Sequence, residues 1–435
     1  MSATTKKISP LRRNGAPRVL TVLPDFPFPA TTGLHLRMVS NLELVRRLGC
    51  SSMLLYFSTE EHNPPPIQST PLAHICDEVH HGGRRFPHSD FSTASLIGRK
   101  VDFLVRGAFG LPGTCYPFSM SYDRIGAEGM ILAEAKRIEA DFVVLPSFML
   151  HYAGKLTQHG FRVIADAIDV LTDLTASFLA SYGTHSLSRL GLYANYVASR
   201  TQERAFLPQC CEVWATSPAE AETLARIAPS VNVVVVTNSL DETAFPPSQF
   251  IIEKSVGFIG TYSSRPNLDA ALFLAEQVFP EVLRQHPEAR LKLAGANLLR
   301  ADEATLRRLP YVDLLGAVAD SAELYNQCRV IALPIFVRGG VPLKIVEAMA
   351  REKAVVACPE LVSGLPVQNG RDALVREGST FANAISMLLS DETLCRRLGK
   401  DARHTFMENW SRSHAEAVMQ RSSVLASCLP EVIRG

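Results

Sequence analysis

The chain has 435 residues, more than one hydrophobic core usually organises, so two domains are expected. Its 44 Lys and Arg against 43 Asp and Glu leave a formal charge of +1, without the basic excess that a nucleic-acid binder needs. The nine cysteines include no C-x-x-C pair, which argues against a zinc knuckle and for a reduced, cytosolic compartment.

Residues 1–16 are polar and basic and read as a flexible tail, not a secretory signal. No run of eighteen apolar residues occurs, so no membrane span is expected. The first strand is expected at Arg18–Leu23, followed by the loop PDFPFPATTG, a helix from about Leu34 to Leu48 and a strand at Ser52–Tyr56. Strand, loop, helix and strand at this spacing form a β-α-β unit and imply a parallel sheet. Residues 60–117 look irregular. Further strands are expected at Phe142–Leu145, Val163–Ala165, Glu212–Ala215 and Val231–Val236. The polar, Pro-containing stretch TNSLDETAFPPSQ is the expected linker. Strands at Val256–Ile259, Arg290–Leu293, Val312–Leu314, Val330–Leu333 and Ala354–Ala357 follow, giving a second doubly wound α/β domain.

In such sheets ligands bind beyond the carboxyl ends of the strands. The richest loop there is LPIFVRGGVPLKIVEAMA. Gly339 and Gly340 let the backbone approach an anion, Arg338 adds charge, and Pro342 suits the first helical position. The helix start attracts phosphate, Lys344 can reach a diphosphate, and Glu347 on the same face can accept ribose hydroxyls. A plain helix start with solvated charges fits the same residues. In the loop after Gly260, Asn267 is expected to cap the next helix and Arg265 can face the ligand. In the first domain, Gly33 and Arg37 follow strand one, where a phosphate or acceptor contact and a simple turn are equal readings. Asp166 and Asp169 can bind acceptor hydroxyls, serve as a base, or act as loop and cap carboxylates; His151 reads as structural. No G-x-G-x-x-G after strand one, no phosphate loop, no H-E-x-x-H and no G-x-S-x-G is present.

The stretch FIGTYSSRPNLDAALFLAEQVFPEVLRQHPEARLKLAG resembles the donor domain of the retaining GT-B glycosyltransferases (glycosyl transferases group 1), which include bacterial polysaccharide and lipid-linked sugar transferases. The resemblance continues through GGVPLKIVEAMA and NGRDALV. More loosely it takes in PDFPFPATTGLHLRM, DAIDV and EVWATSPAEAETL, so that most of residues 17–410 is covered. It implies two Rossmann-like domains facing a cleft: an acceptor domain at 17–240, a donor domain at 250–410, and a C-terminal helix at 411–435 crossing back to the first domain. Carried over, Glu347 matches the glutamate that binds the donor ribose. Lys344 with Gly339 and Gly340 matches the diphosphate contacts, and Gly33 the acceptor-domain glycine loop.

Where many members have a second glutamate, an Arg and a Lys, this chain has Gly339, Thr261 and Asn267; Arg265, Arg338 and Lys344 can supply the charge instead. The N-domain histidine is replaced by the neighbourhood of Pro146 and Ser147. The resemblance implies a nucleoside diphosphate sugar as donor, a glycan or lipid-linked acceptor, transfer with retention, and no metal or other cofactor. A nucleotide-sugar epimerase of the same fold, with Asp166 and Asp169 as acids, and a non-catalytic partner subunit are the competing readings. Basic and aromatic residues mixed through 84–113 allow peripheral contact with the inner face of a membrane, though a solvated face is the better reading.

Overall fold

The protein is described from a computed structural model covering residues 15–28, 33–59, 65–85, 122–123, 125–181, 188–336 and 342–429. The chain divides into two compact units. The first runs to Asn238 and resumes at Ala415; the second is Ser239–His414. Arg338, Gly339 and Gly340, and residues 86–113 of the basic-aromatic segment, lie outside the described residues.

In the first unit seven strands form one parallel sheet: β1 (Arg18–Leu23), β2 (Ser51–Thr59), β3 (Glu78–Arg85), β4 (Phe142–Pro146), β5 (Arg162–Ala167), β6 (Glu212–Ala215) and β7 (Asn232–Val235). Their order across the sheet is β3-β2-β1-β4-β5-β6-β7. β1 and β4 are apolar on both faces because helices cover both, the usual condition of a central parallel strand. β3 falls within the stretch that looks irregular in sequence. Its HHGGRR lacks an apolar run because it is an edge strand. Gly82 makes room for the Phe57 ring, which an added Cβ would approach to 2.6 Å, and Gly83 (φ +126°) lies where the register with β2 slips.

Helix α1 (Gly33–Arg47) follows β1, and α2 (Leu171–Ser181) and α3 (Ser188–Phe206) follow β5. Helix α4 (Pro218–Ile227) begins with a side-chain cap: Ser217 Oγ accepts from Glu220 N at 3.3 Å, and the Glu220 carboxylate accepts from Thr216 N, one residue before the cap, at 3.1 Å.

The second unit holds β8 (Ser255–Ile259), β9 (Arg290–Ala294), β10 (Val312–Gly316), β11 (Val330–Leu333), β12 (Ala354–Ala357) and β13 (Leu374–Val375), ordered β10-β9-β8-β11-β12-β13 and parallel throughout. Helices α5 (Arg265–Phe273), α6 (Ala322–Tyr325), α7 (Leu343–Ala350) and α8 (Glu392–Asn409) pack around it. The stretch read as a linker is tied down within this unit. Arg403 donates to the Phe245 carbonyl at 2.8 Å, and Leu240 N donates to the Trp410 carbonyl at 2.9 Å.

Helix α9 (Arg412–Ser422) and the short helix Val424–Ser427 bring Ala415, Met419, Leu425 and Leu429 into a core with Val19, Phe142 and Trp214 of the first unit. Glu212 anchors them. Fully buried, its carboxylate accepts from Ser423 Oγ (2.7 Å), Val424 N (2.8 Å), Trp214 Nε1 (2.7 Å) and Asn232 Nδ2 (3.0 Å). Four donors offset the cost of removing that charge from water.

Candidate nucleotide-binding site

In the second unit the strand ends converge through two glycines. Gly260 directly follows β8, and Gly295, with φ +148°, directly follows β9. A Cβ on Gly295 would sit 1.8 Å from the Gly260 carbonyl, and one on Gly260 would sit 2.8 Å from Asn267 Cγ. The missing side chains therefore let Asn267 fold back against the end of the sheet. Ser264, not Asn267, occupies the cap position of α5, because the turn closes three residues earlier than the polar pattern suggests. Asn267 lies inside the first turn. Its Nδ2 donates to the Thr261 carbonyl at 2.9 Å and its Oδ1 accepts from Lys344 Nζ at 2.5 Å.

Lys344 comes from α7, the helix following β11. Pro342 precedes that helix as its cap residue, with ψ 113°, and Leu343 is the first helical position. The Lys344 ammonium also lies 5.0 Å from the Phe258 ring centroid, a cation–π distance. Burial lowers its pKa to about 8, while Glu347 opposes the shift. The amine is thus still charged at neutral pH, and a bound anion would hold it so.

Glu347 lies one turn along α7 and is half-buried. Burial raises its pKa, opposed by hydrogen bonds from Ser321 and Tyr325 and by the charge of Arg351. Tyr325 is fully buried on α6 and its hydroxyl donates to the Lys344 carbonyl at 3.1 Å. Arg351 is buried too, 3.6 Å from Asp320, with its guanidinium 5.8 Å from the Tyr325 ring centroid. These groups hold the cation and the carboxylate of α7 on one side of the helix, next to the β8 loop. The sequence gives no sign of Tyr325 or Ser321 as partners, and it marks Asn267 only as standing where the resembled family has a Lys; each meets α7 through the sheet topology. Arg265 opens α5 with a side chain 77% exposed and paired to Asp269 at 2.8 Å, so it stands on the surface of that helix.

In the first unit Gly33 opens α1 and is exposed. Arg37, one turn later, is 1% exposed. It donates to Asp166 through Nε (2.9 Å) and Nη2 (2.5 Å), and through Nη1 to the Val236 carbonyl (2.8 Å) and Asn238 Oδ1 (3.0 Å). Asn41 Nδ2 takes the other Asp166 oxygen at 2.9 Å. Arg37 and Asp166 thus form one buried ion pair whose polar atoms are spent on the fold. Asp169 is half-buried. Burial and the charge of Glu220 push its pKa up to about 6, against the pull of Arg37. His151 Nε2 donates to the Asp123 carboxylate at 3.1 Å with a side chain only 6% exposed, a structural placement.

Residues 253–391 match the family model described as glycosyl transferases group 1. Solved structures align along nearly the whole chain. Sucrose-phosphate synthase from Thermosynechococcus elongatus superposes with a TM-score of 0.64 at 16% identity, over 93% of this chain and 98% of that one. Anabaena Alr3699/HepE in complex with UDP gives 0.61 at 14% identity, over 94% and 100%. The S. aureus TarM variant bound to fondaparinux, alpha-GlcNAc-glycerol and UDP gives 0.63 at 10% identity, over 93% and 99%.

The fold is GT-B.

In this GT-B chain the family match falls on the unit that carries Lys344 and Glu347. A curated relative, the N,N'-diacetylbacillosaminyl-diphospho-undecaprenol alpha-1,3-N-acetylgalactosaminyltransferase of Campylobacter jejuni, is 34% identical over 96 residues. That match takes in 21% of this chain and about a quarter of the relative's length, 25%. Among the described residues no helix is long and apolar enough to cross a membrane.

Proposed function

We propose that this chain transfers a glycosyl group from a nucleoside diphosphate sugar to a glycan or lipid-linked acceptor, with retention at the anomeric carbon and without a resident metal or cofactor. The observation that carries the reading is the pair Lys344 and Glu347 on α7, joined to the β8 loop through Asn267. An ammonium of lowered pKa at a helix start suits a diphosphate, and a half-buried carboxylate one turn on suits the hydroxyls of a ribose. The UDP in the Anabaena and S. aureus structures supports the same donor class.

In the reaction the acceptor oxygen bonds to the anomeric carbon while the bond from that carbon to the diphosphate oxygen breaks. The acceptor proton passes to the leaving phosphate. Lys344 and the free N–H groups at the start of α7 stabilise the charge that develops there, the kind of contribution that often dominates such catalysis. Acceptor recognition falls to the first unit, with Gly33 at the start of α1 and Asp169 just beyond β5, and with Arg37 and Asp166 as a buried pair behind that surface of the fold.

A thermal-shift panel of UDP, GDP, ADP and dTDP on the wild type and Glu347→Ala tests the donor site. One nucleotide is expected to raise the wild-type melting temperature and leave the variant unmoved. No shift with any of the four would sink the proposal.

A further inference from the structure

The starts of β11 and β12 carry a second basic site, at the opposite ends of the strands from α7. Arg329 immediately precedes β11 and Lys353 immediately precedes β12, 6% and 3% exposed. Together with Phe250, Glu352, Arg396 and Lys400 they line a cavity of about 220 Å³. All of these residues belong to the second unit.

Among the described residues, the two buried cations there form no ion pair. Lys353 Nζ donates only to the carbonyls of Cys328 (3.0 Å) and Gln249 (3.3 Å), and burial lowers its pKa to about 8. Arg329 sends Nη1 to the Ile252 carbonyl at 3.4 Å, its guanidinium lies 5.2 Å from the Phe250 ring centroid, and its Nε is buried without any hydrogen-bond partner. Arg396 lies 3.7 Å from the centroid of the same ring and pairs with Glu392 at 2.6 Å. Lys400 stands exposed on α8. Glu352, with φ +59°, is the one carboxylate in the lining. A buried guanidinium with an idle donor costs free energy unless an acceptor reaches it, and a planar fork beside two ammonium groups suits the oxygens of a phosphate.

We propose that this cavity binds a phosphate-bearing small molecule, at a site separate from the one on α7. Its volume is below the ~300 Å³ at which pockets for larger ligands begin, so it suits a phosphate head or phosphorylated sugar better than a whole nucleotide sugar. The turn Arg351–Lys353 joins this cavity to the end of α7, so the occupant would contact the segment that directly follows the donor helix.

Isothermal titration of the full chain with inorganic phosphate, at ionic strength held constant with chloride, tests the proposal. Wild type and Lys344→Ala are expected to show the same saturable binding, and the double variant Arg396→Ala/Lys400→Ala binding at least tenfold weaker. Both double-variant positions are exposed on α8, so the fold is expected to survive their truncation. The absence of saturable binding to the wild type, equal affinity in the double variant, or loss of binding in Lys344→Ala would each overturn it. The last outcome would move the phosphate to the donor site without touching the reading of that site.

Discussion

At the scale of single residues, function turns on how burial sets charge. Lys344 is half-buried and loses its proton at about pH 8 in the free protein. Below that pH it is the cation that the proposed diphosphate contact requires; above it the cation is lost, while the phosphates of a nucleotide keep their full charge. Affinity for the nucleotide found by the thermal-shift panel should therefore fall about tenfold between pH 7 and pH 9. Lys344→Arg should flatten that profile, because a guanidinium stays protonated throughout. Titration calorimetry across the range measures both, and a wild-type profile as flat as the Arg variant's would remove Lys344 from the diphosphate contact. Arg37 teaches the complementary lesson. From sequence alone, a basic residue one turn into the first helix and an aspartate after a strand look equally open to a ligand. Only the fold shows that α1 and β5 bring them together, 1% and 7% exposed, as each other's partners.

Elements were the most legible layer. Buried parallel strands are short apolar runs, and β1, β6, β11 and β12 follow such runs residue for residue. What escaped were elements stabilised by their neighbours: β3, with its polar and glycine-rich edge, and β13, only two residues long. The cap of α5 falls at Ser264 and not at Asn267 for a related reason. Asn267 is an eligible cap by type, yet its side chain is claimed by Thr261 and Lys344. Thus the spacing on one helix singles out Lys344 and Glu347 as candidates, whereas it does not show that Ser321 and Tyr325 meet that helix. The glycine pair at the ends of β8 and β9 gives the sharpest test of this layer. Gly295→Ala would place a methyl against the Gly260 carbonyl in a backbone region that alanine avoids, so a loss of about 3 kcal/mol or more is expected in urea unfolding. A change under ~1 kcal/mol would mean that the two loops can part without harm.

At the scale of the whole molecule, the two parallel sheets and the match at 253–391 agree with the GT-B resemblance carried by the sequence motifs. The first unit is discontinuous: Ala415, Met419 and Leu425 fill a core whose other side is Val19, Phe142 and Trp214, and Glu212 holds the last short helix through Ser423 and Val424. A chain stopped after His414 should keep the unfolding transition of the second unit and lose that of the first, as read by calorimetry. Two intact transitions would show that the C-terminal helices merely decorate the surface.

The same discontinuity sets a timetable for synthesis on the ribosome. The second unit is one uninterrupted stretch, 239–414, and can complete its core as soon as that stretch has emerged. The first unit, although made first, must wait with the apolar faces of Val19 and Trp214 uncovered until Ala415, Met419 and Leu425 leave the exit tunnel. Translation pauses late in the message would lengthen the interval in which the nascent chain depends on chaperones, whereas pauses before residue 238 would not help it fold.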